Sequence, residues 1–215
     1  MTSDELTYTL LSDGSSDRAL MPIIEWTINQ IRPELLVQGN RADLSQLKNP
    51  PKELLDRITT SIRLYPCDVL FVHRDGEKET YENRRDEIIV AIDGIPLRSV
   101  LPVIPVIPVR MMEAWLLIDS RAIKTAASNP NGRYDPKLPI VKLVERLSDP
   151  KEVLYNHLRQ ASGLKGRQLD KFNVSKAVHL IAENITNFSA LKELRAYQYF
   201  ENEVVEMLTT FGRKL

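Results

Sequence analysis

Three features of the sequence predict an α/β fold, a mainly parallel sheet flanked by helices, with an α-helical C-terminal region. Two apolar runs, residues 6–11 and 69–72, each pass into a polar turn that carries an Asp-Gly pair, Asp13-Gly14 and Asp75-Gly76. Continuous apolar runs mark strands covered on both faces. Segments with apolar residues at helical spacing alternate with these runs, and such alternation gives parallel strand pairs. Past Ala127 the pattern changes to helices alone. The chain therefore divides into an α/β part, residues 1–127, and a helical part, residues 128–215.

Residues 6–11 alternate and then run apolar, which predicts the first strand. Ser12 to Ser16 is its turn, with Ser15 or Ser16 placed to cap the next helix through a backbone N–H. That helix covers residues 17–31, with Leu20, Ile23, Ile24 and Ile28 near helical spacing. Pro22 falls in its first turns, where a missing N–H costs little. Residues 35–38 fit a short second strand, and the polar, proline-ended stretch 40–51 fits a loop. Leu54, Leu55, Ile58 and Ile62 make residues 52–65 an amphipathic helix. The strand Val69-Leu70-Phe71-Val72 comes next. Residues 77–93 read as a charged helix with Ile88, Ile89 and Ile92 as its apolar stripe. Residues 99–109 read as an edge strand, or one that ends early, because Pro102, Pro105 and Pro108 each remove a ladder hydrogen bond. Residues 110–119 read as a helix packed through Met112, Trp115 and Leu116. Beyond the turn-rich loop 128–136, helical patterns cover residues 140–147, 150–161, 174–184, 191–196 and 199–211, a cap or arm on the α/β core.

Composition bounds the function classes. The 215 residues suit one domain, or one domain with a helical appendage. Lys and Arg number 29 and Asp and Glu number 29, so no global field advertises nucleic acid, and only a local patch can bind it. Cys67 is the only cysteine. That excludes an internal disulfide or a cysteine-built zinc site and fits a reducing cytosol. The acidic N-terminus lacks the regions of a signal peptide. The most apolar region, residues 100–118, is broken by three prolines, Arg110 and Glu113, which no membrane span would carry. These readings place the chain in the cytoplasm.

Chemistry collects at the carboxyl ends of strands in open parallel sheets. Asp13 and Asp75 each stand directly after an apolar strand, and Glu113 stands inside the apolar run Met112-Glu113-Ala114-Trp115. Hard cations such as Mg²⁺ take such carboxylates, with water and phosphate completing the shell. Bland readings stand beside these. Asp-Gly is common turn punctuation, and Glu113 can pair with Arg110 one helical turn earlier. Asp17 is either a group behind the ligands or a favourable charge at a helix start. Asp119 reads as an N-cap. His73 is a metal ligand, a general base, a phosphate contact, or a satisfied histidine at a strand end. Arg74 suits a phosphate or a neighbouring carboxylate. His157 and His179 read as structural. Lys165, Arg167, Lys171 and Lys176 form the clear basic cluster, either a phosphate-neutralising surface on the side of the acids or a solvated loop. No Walker-type loop, dinucleotide fingerprint or nucleophile elbow occurs.

Residues 6–119 resemble the Toprim domain, in the divergent form found in small bacterial proteins and in OLD-type (overcoming lysogenization defect) nucleases. Leu11-Ser12-Asp13-Gly14 is similar to that family's strand ending in Glu-Gly, with Asp13 where glutamate is usual. His73-Arg74-Asp75 looks like its Asp-x-Asp, with His73 replacing the first aspartate, and Glu113-Ala114-Trp115 resembles its later acidic segment. The resemblance implies Mg²⁺ or Mn²⁺ held by Asp13, Asp75 and Glu113. It further implies cleavage of DNA or RNA; the residues themselves, outside the resemblance, put His73 in catalysis and Arg74, Lys165, Arg167 and Lys171 on nucleic acid. It also implies an ATPase partner in anti-phage defence. Histidine suits Mn²⁺ or Zn²⁺ better than Mg²⁺. The alternatives are a degenerate, non-catalytic module that binds a partner protein, and a phosphotransfer enzyme of another fold. A homo-oligomer is compatible with either of the first two.

Overall fold

Period-two alternation in the strands splits the interior into two layers, one on each face of a sheet. The computed structural model describes residues 5–14, 16–95 and 101–211. Its strands are β1 (Glu5–Leu11), β2 (Leu36–Ala42), β3 (Val69–His73) and β4 (Val103–Val106). They form one all-parallel sheet in the order β2-β1-β3-β4. On one face Leu70 and Val72 of β3 meet Ile58 of α2 (Leu54–Leu64) and Ile88 and Ile92 of α3 (Tyr81–Asp93). On the other, Leu6, Tyr8, Leu10, Val69 and Phe71 meet α1 (Met21–Ile31) and the helical region.

That helical region begins with α4 (Ser120–Ala126) and continues through α5 (Pro150–Ser162), α6 (Arg167–Asp170), α7 (Val174–Asn184) and α8 (Arg195–Phe211). Two 3-10 turns, Val141–Arg146 and Ser189–Glu193, join them, and no strand occurs among the described residues beyond β4. The expected cap on the core proves to be one wall of it. Phe200 of α8 lies 6.1 Å, ring to ring, from both Phe71 and Trp115. The Tyr197 hydroxyl sits 2.7 Å from Thr27 Oγ1 on α1, deep in this layer. No helix among the described residues is long and apolar enough to cross a membrane.

Several boundaries depart from the sequence reading, each for a local reason. Asn40, Arg41 and Ala42, expected in a loop, pair with Thr9, Leu10 and Leu11 as the end of β2. An edge strand that is mostly exposed carries little apolar signal. Gly39 is needed there, since a Cβ would come within 2.3 Å of the Tyr8 ring on the neighbouring strand. The helix expected from residue 17 starts as a 3-10 turn, Ser16–Leu20, before α1. The helix expected from residue 77 starts at Tyr81, because Glu77 is left-handed (φ 52°) and Thr80 caps by accepting the Asn83 N–H at 3.1 Å. Residues 110–119 form a 3-10 turn, Met112–Leu116, rather than an α-helix. Asp119 then caps α4, accepting the N–H groups of Arg121 and Ala122, as expected. β4 is an edge strand and shorter than the run 99–109. Residues 99 and 100, like the possible cap Ser15, lie outside the described residues. Val106 gives its carbonyl to Arg74 N–H across the ladder at 3.2 Å, so Pro105, one residue earlier, turns its nitrogen to the open edge.

Because α8 packs directly on β3, the two halves should unfold together. Replacing Phe200 with alanine should cost about 3–5 kcal/mol, the range for removing a buried aromatic ring. Urea denaturation followed by far-UV circular dichroism and by tryptophan fluorescence should give one coincident transition in both proteins. Two separated transitions would contradict the shared core.

Candidate metal centre at the strand ends

β1 has β2 on one side and β3 on the other, so the sheet order reverses between β1 and β3. Ligands of open parallel sheets bind at the carboxyl ends of strands beside such a reversal. His73 ends β3 in phase with Val69 and Phe71, and so enters the layer shared with the helical region. It is 3% exposed. Its Nδ1 lies 2.9 Å from the Val106 carbonyl oxygen. A carbonyl only accepts, so Nδ1 carries a proton and Nε2 is the variable position. Nε2 lies 3.4 Å from Asp75 Oδ1 and 3.9 Å from Asp17 Oδ2. Burial by itself would lower the imidazole pKa; the hydrogen bond to Asp75 and the charges of Asp17 and Asp75 outweigh it and raise it above the ordinary value.

Each acid has a fixed place. Asp75 Oδ1 accepts the Met112 N–H at 3.0 Å, which ties the end of β3 to the 3-10 turn carrying Glu113. Asp17 is buried and accepts the Gly14 N–H at 2.7 Å. Glu113 is 3% exposed. Burial pushes its carboxyl above the ordinary range, Lys151 opposes the shift, and the charges of Asp75 and Asp17 add to it. Lys151 of α5 brings its ammonium to 3.8 Å from Glu113. The partner expected for Glu113 was Arg110, and the structure supplies Lys151 instead. Arg110 is left-handed (φ 63°) and precedes a 3-10 turn, so the two side chains are not stacked one α-helical turn apart.

Asp13 stands differently. Its half-exposed carboxylate pairs with Arg57 of α2 and lies 3.7 Å from Arg74 Nε. Arg74 also reaches Glu87 at 3.1 Å, and Arg84 joins Glu87 at 2.9 Å and the Asp75 carbonyl at 3.1 Å. The structure thus gathers His73, Asp75 and Glu113 with Asp17, and sets Asp13 and Arg74 in an arginine-rich margin. Asp17 was read from sequence only as a helix-start or supporting charge. Its signal was the four-residue spacing from Asp13, which the 3-10 turn converts into a return onto Gly14. Gly76 is buried, and a Cβ there would sit 3.1 Å from the Pro108 oxygen and the Arg110 nitrogen. Close backbone approach is its reason, rather than an open path to the site.

Lys165, Arg167 and Lys171 are exposed and have no ion pair among the described residues. They follow the C-terminal end of α5, whose opposite end brings Lys151 to Glu113. The 13 residues of α5 span about 20 Å. His157 pairs with the Tyr134 hydroxyl at 2.7 Å, and burial lowers the pKa values of both His157 and His179. Among the described residues no three or more His, Cys, Asp or Glu side chains stand in metal-holding geometry as placed. Comparison with family models, with curated proteins and with solved structures gives no match.

A raised histidine pKa makes stability fall with pH. Between 6.5 and the higher folded value the native protein holds a proton that the unfolded chain has lost. The contribution of His73 should therefore be full below 6.5 and be lost as pH rises through its folded pKa. His157 and His179, shifted down, titrate below that window. Urea denaturation on either side of pH 6.5 measures the slope, and His73→Gln should remove it. An unchanged slope in that variant would contradict the buried imidazolium.

Proposed function

We propose that this chain is a metal-dependent nucleic-acid phosphodiesterase, a Toprim-like nuclease. The observation that carries the reading is the meeting of His73 Nε2 with Asp75 and Asp17 beside the buried Glu113, at the reversal of strand order. The donor types fit a divalent cation: carboxylate oxygens suit Mg²⁺ or Mn²⁺, and an imidazole nitrogen favours Mn²⁺. Asp17, Asp75, Glu113 and His73 would hold the ion, with Asp13 at the margin. Such an ion, when bound, activates water and neutralises phosphate charge. The chain's own residues do the positioning. The Met112 N–H orients Asp75, the Gly14 N–H orients Asp17, and the Val106 carbonyl keeps Nε2 of His73 directed at both. A nucleic acid reaching from Lys151 to Lys165, Arg167 and Lys171 would span about six nucleotides at 3.4 Å each.

A second reading rests on a specific observation: the donors are not closed into a metal-holding group among the described residues. In that case the chain is a non-catalytic Toprim-like module that binds a partner protein, with an ATPase as the partner class. A groove of about 350 Å³ between α3 and α8, lined by Tyr81, Arg85, Tyr199 and Glu203, offers a docking surface.

Thermal denaturation with added Mn²⁺ or Mg²⁺ separates the readings, because a ligand of the native state raises Tm. Asp75→Asn keeps an acceptor for Met112 and removes the charge. It should fold, lose the metal-induced rise in Tm, and lose cleavage of single- or double-stranded DNA or RNA. Metal stabilisation undiminished in Asp75→Asn would sink the assignment. A wild-type chain that shows no metal-induced rise in Tm and cleaves none of these substrates selects the second reading. Replacing Lys165, Arg167 and Lys171 together with glutamate should weaken nucleic-acid binding and flatten its salt dependence, as measured by fluorescence anisotropy across a salt series.

A further inference from the structure

Two guanidinium groups from different elements converge on one carboxylate at the mouth of the site. Arg57 comes from α2, Arg74 follows β3, and both pair with Asp13. The arginine side chains are 15% and 21% exposed, whereas Asp13 is 52% exposed. The cations therefore belong to the wall, and the anion is the part that faces solvent. Each arginine also has an anchor independent of Asp13. Arg57 Nη2 donates to the Ser12 carbonyl at 2.9 Å. Arg74 Nη2 reaches Glu87 at 3.1 Å, and Glu87 is in turn held by Arg84. Removing Asp13 from between them would leave both guanidinium groups in place with donors unspent. Planar arginine forks match phosphate as well as carboxylate geometry. The β1–β3 register sets Leu11 opposite Val72, so Asp13 and Arg74 leave the sheet at the same end as His73 and Asp75.

We propose that Arg57 and Arg74 form a binding site for a phosphate group of the substrate, with Asp13 as the resident counter-anion of the free protein. A substrate phosphate takes the two guanidinium groups and displaces the half-exposed Asp13 carboxylate into solvent. The identification of the ligand as a substrate phosphate rests on the phosphodiesterase reading. The anion site itself does not.

Inorganic phosphate is the probe, titrated with EDTA present so that no divalent ion takes part, and binding is read by ³¹P NMR and by the shift in Tm. Asp13→Asn should bind phosphate about tenfold more tightly than wild type, since one charged competitor for two guanidinium groups is gone. Arg57→Gln and Arg74→Gln should each lose the phosphate-induced shift. Asp13→Ser is the second variant should Asp13→Asn fold poorly, and circular dichroism checks each. Unchanged or weaker binding in the Asp13 variants would overturn the proposal, as would equal binding in the arginine variants. Loss of metal stabilisation with the phosphate result intact would reject the phosphodiesterase reading and leave the anion site standing. A metal response with no phosphate response would do the reverse.

Discussion

Burying a histidine between carboxylates requires its charge and its proton positions to be settled together. His73 has Nδ1 committed to the Val106 carbonyl, so only Nε2 is left to face Asp17 and Asp75. A bare lone pair there would be repelled by two anions, so the position demands a proton or a cation. The pairing that fixes this is the β3–β4 ladder, in which His73 stands opposite Val106. A one-residue slip would turn the imidazole into the opposite layer among Leu70, Val72, α2 and α3. Pro105 on β4 is tolerated because that strand is an edge, and its inner side alone holds the ladder.

The charge balance extends outward from that imidazole. Asp17, Asp75 and Glu113 are faced by His73 and by Lys151, while Asp13 and Glu87 are bridged by Arg57, Arg74 and Arg84. The first group is mostly buried and lies on the helical side. The second is partly exposed and lies on the side of α2 and α3. The strand ends therefore separate a mostly buried acid set from a partly exposed arginine–carboxylate network, in which Arg84 also pairs with Glu77. On the phosphodiesterase proposal, a phosphodiester with its divalent ion would lie across both margins.

The helical region ties this chemistry to the core. Phe200 packs on Phe71, two residues before His73, and on Trp115, two residues after Glu113. α5 sets Lys151 against Glu113. Loss of that region would uncover one face of the sheet and remove the cation opposite the buried glutamate. The groove between α3 and α8 lies apart from the acids, on the exposed side of the same helix that seals the core.

By itself the sequence determined the layered α/β architecture, the all-helical second half, the strand at residues 69–72, which the structure extends to His73, and a β4 that is either an edge strand or one that ends early. Each follows from apolar periodicity or from proline chemistry, which act over a few residues. It also singled out Asp13, Asp75, His73 and Glu113 as candidates, because a charged group directly after or within an apolar run stands out, although each has a bland reading beside it. Tertiary structure decided the rest. That Asp17 rather than Asp13 faces His73 depends on a 3-10 turn that folds its carboxylate back onto Gly14. That Glu113 pairs with Lys151 rather than Arg110 depends on a left-handed residue and on a helix thirty-eight positions away. The end of β2 was hidden because an exposed edge strand leaves no apolar pattern. Local propensity is written along the chain; the pairing of charges across it depends on register and packing, which no single stretch of sequence contains.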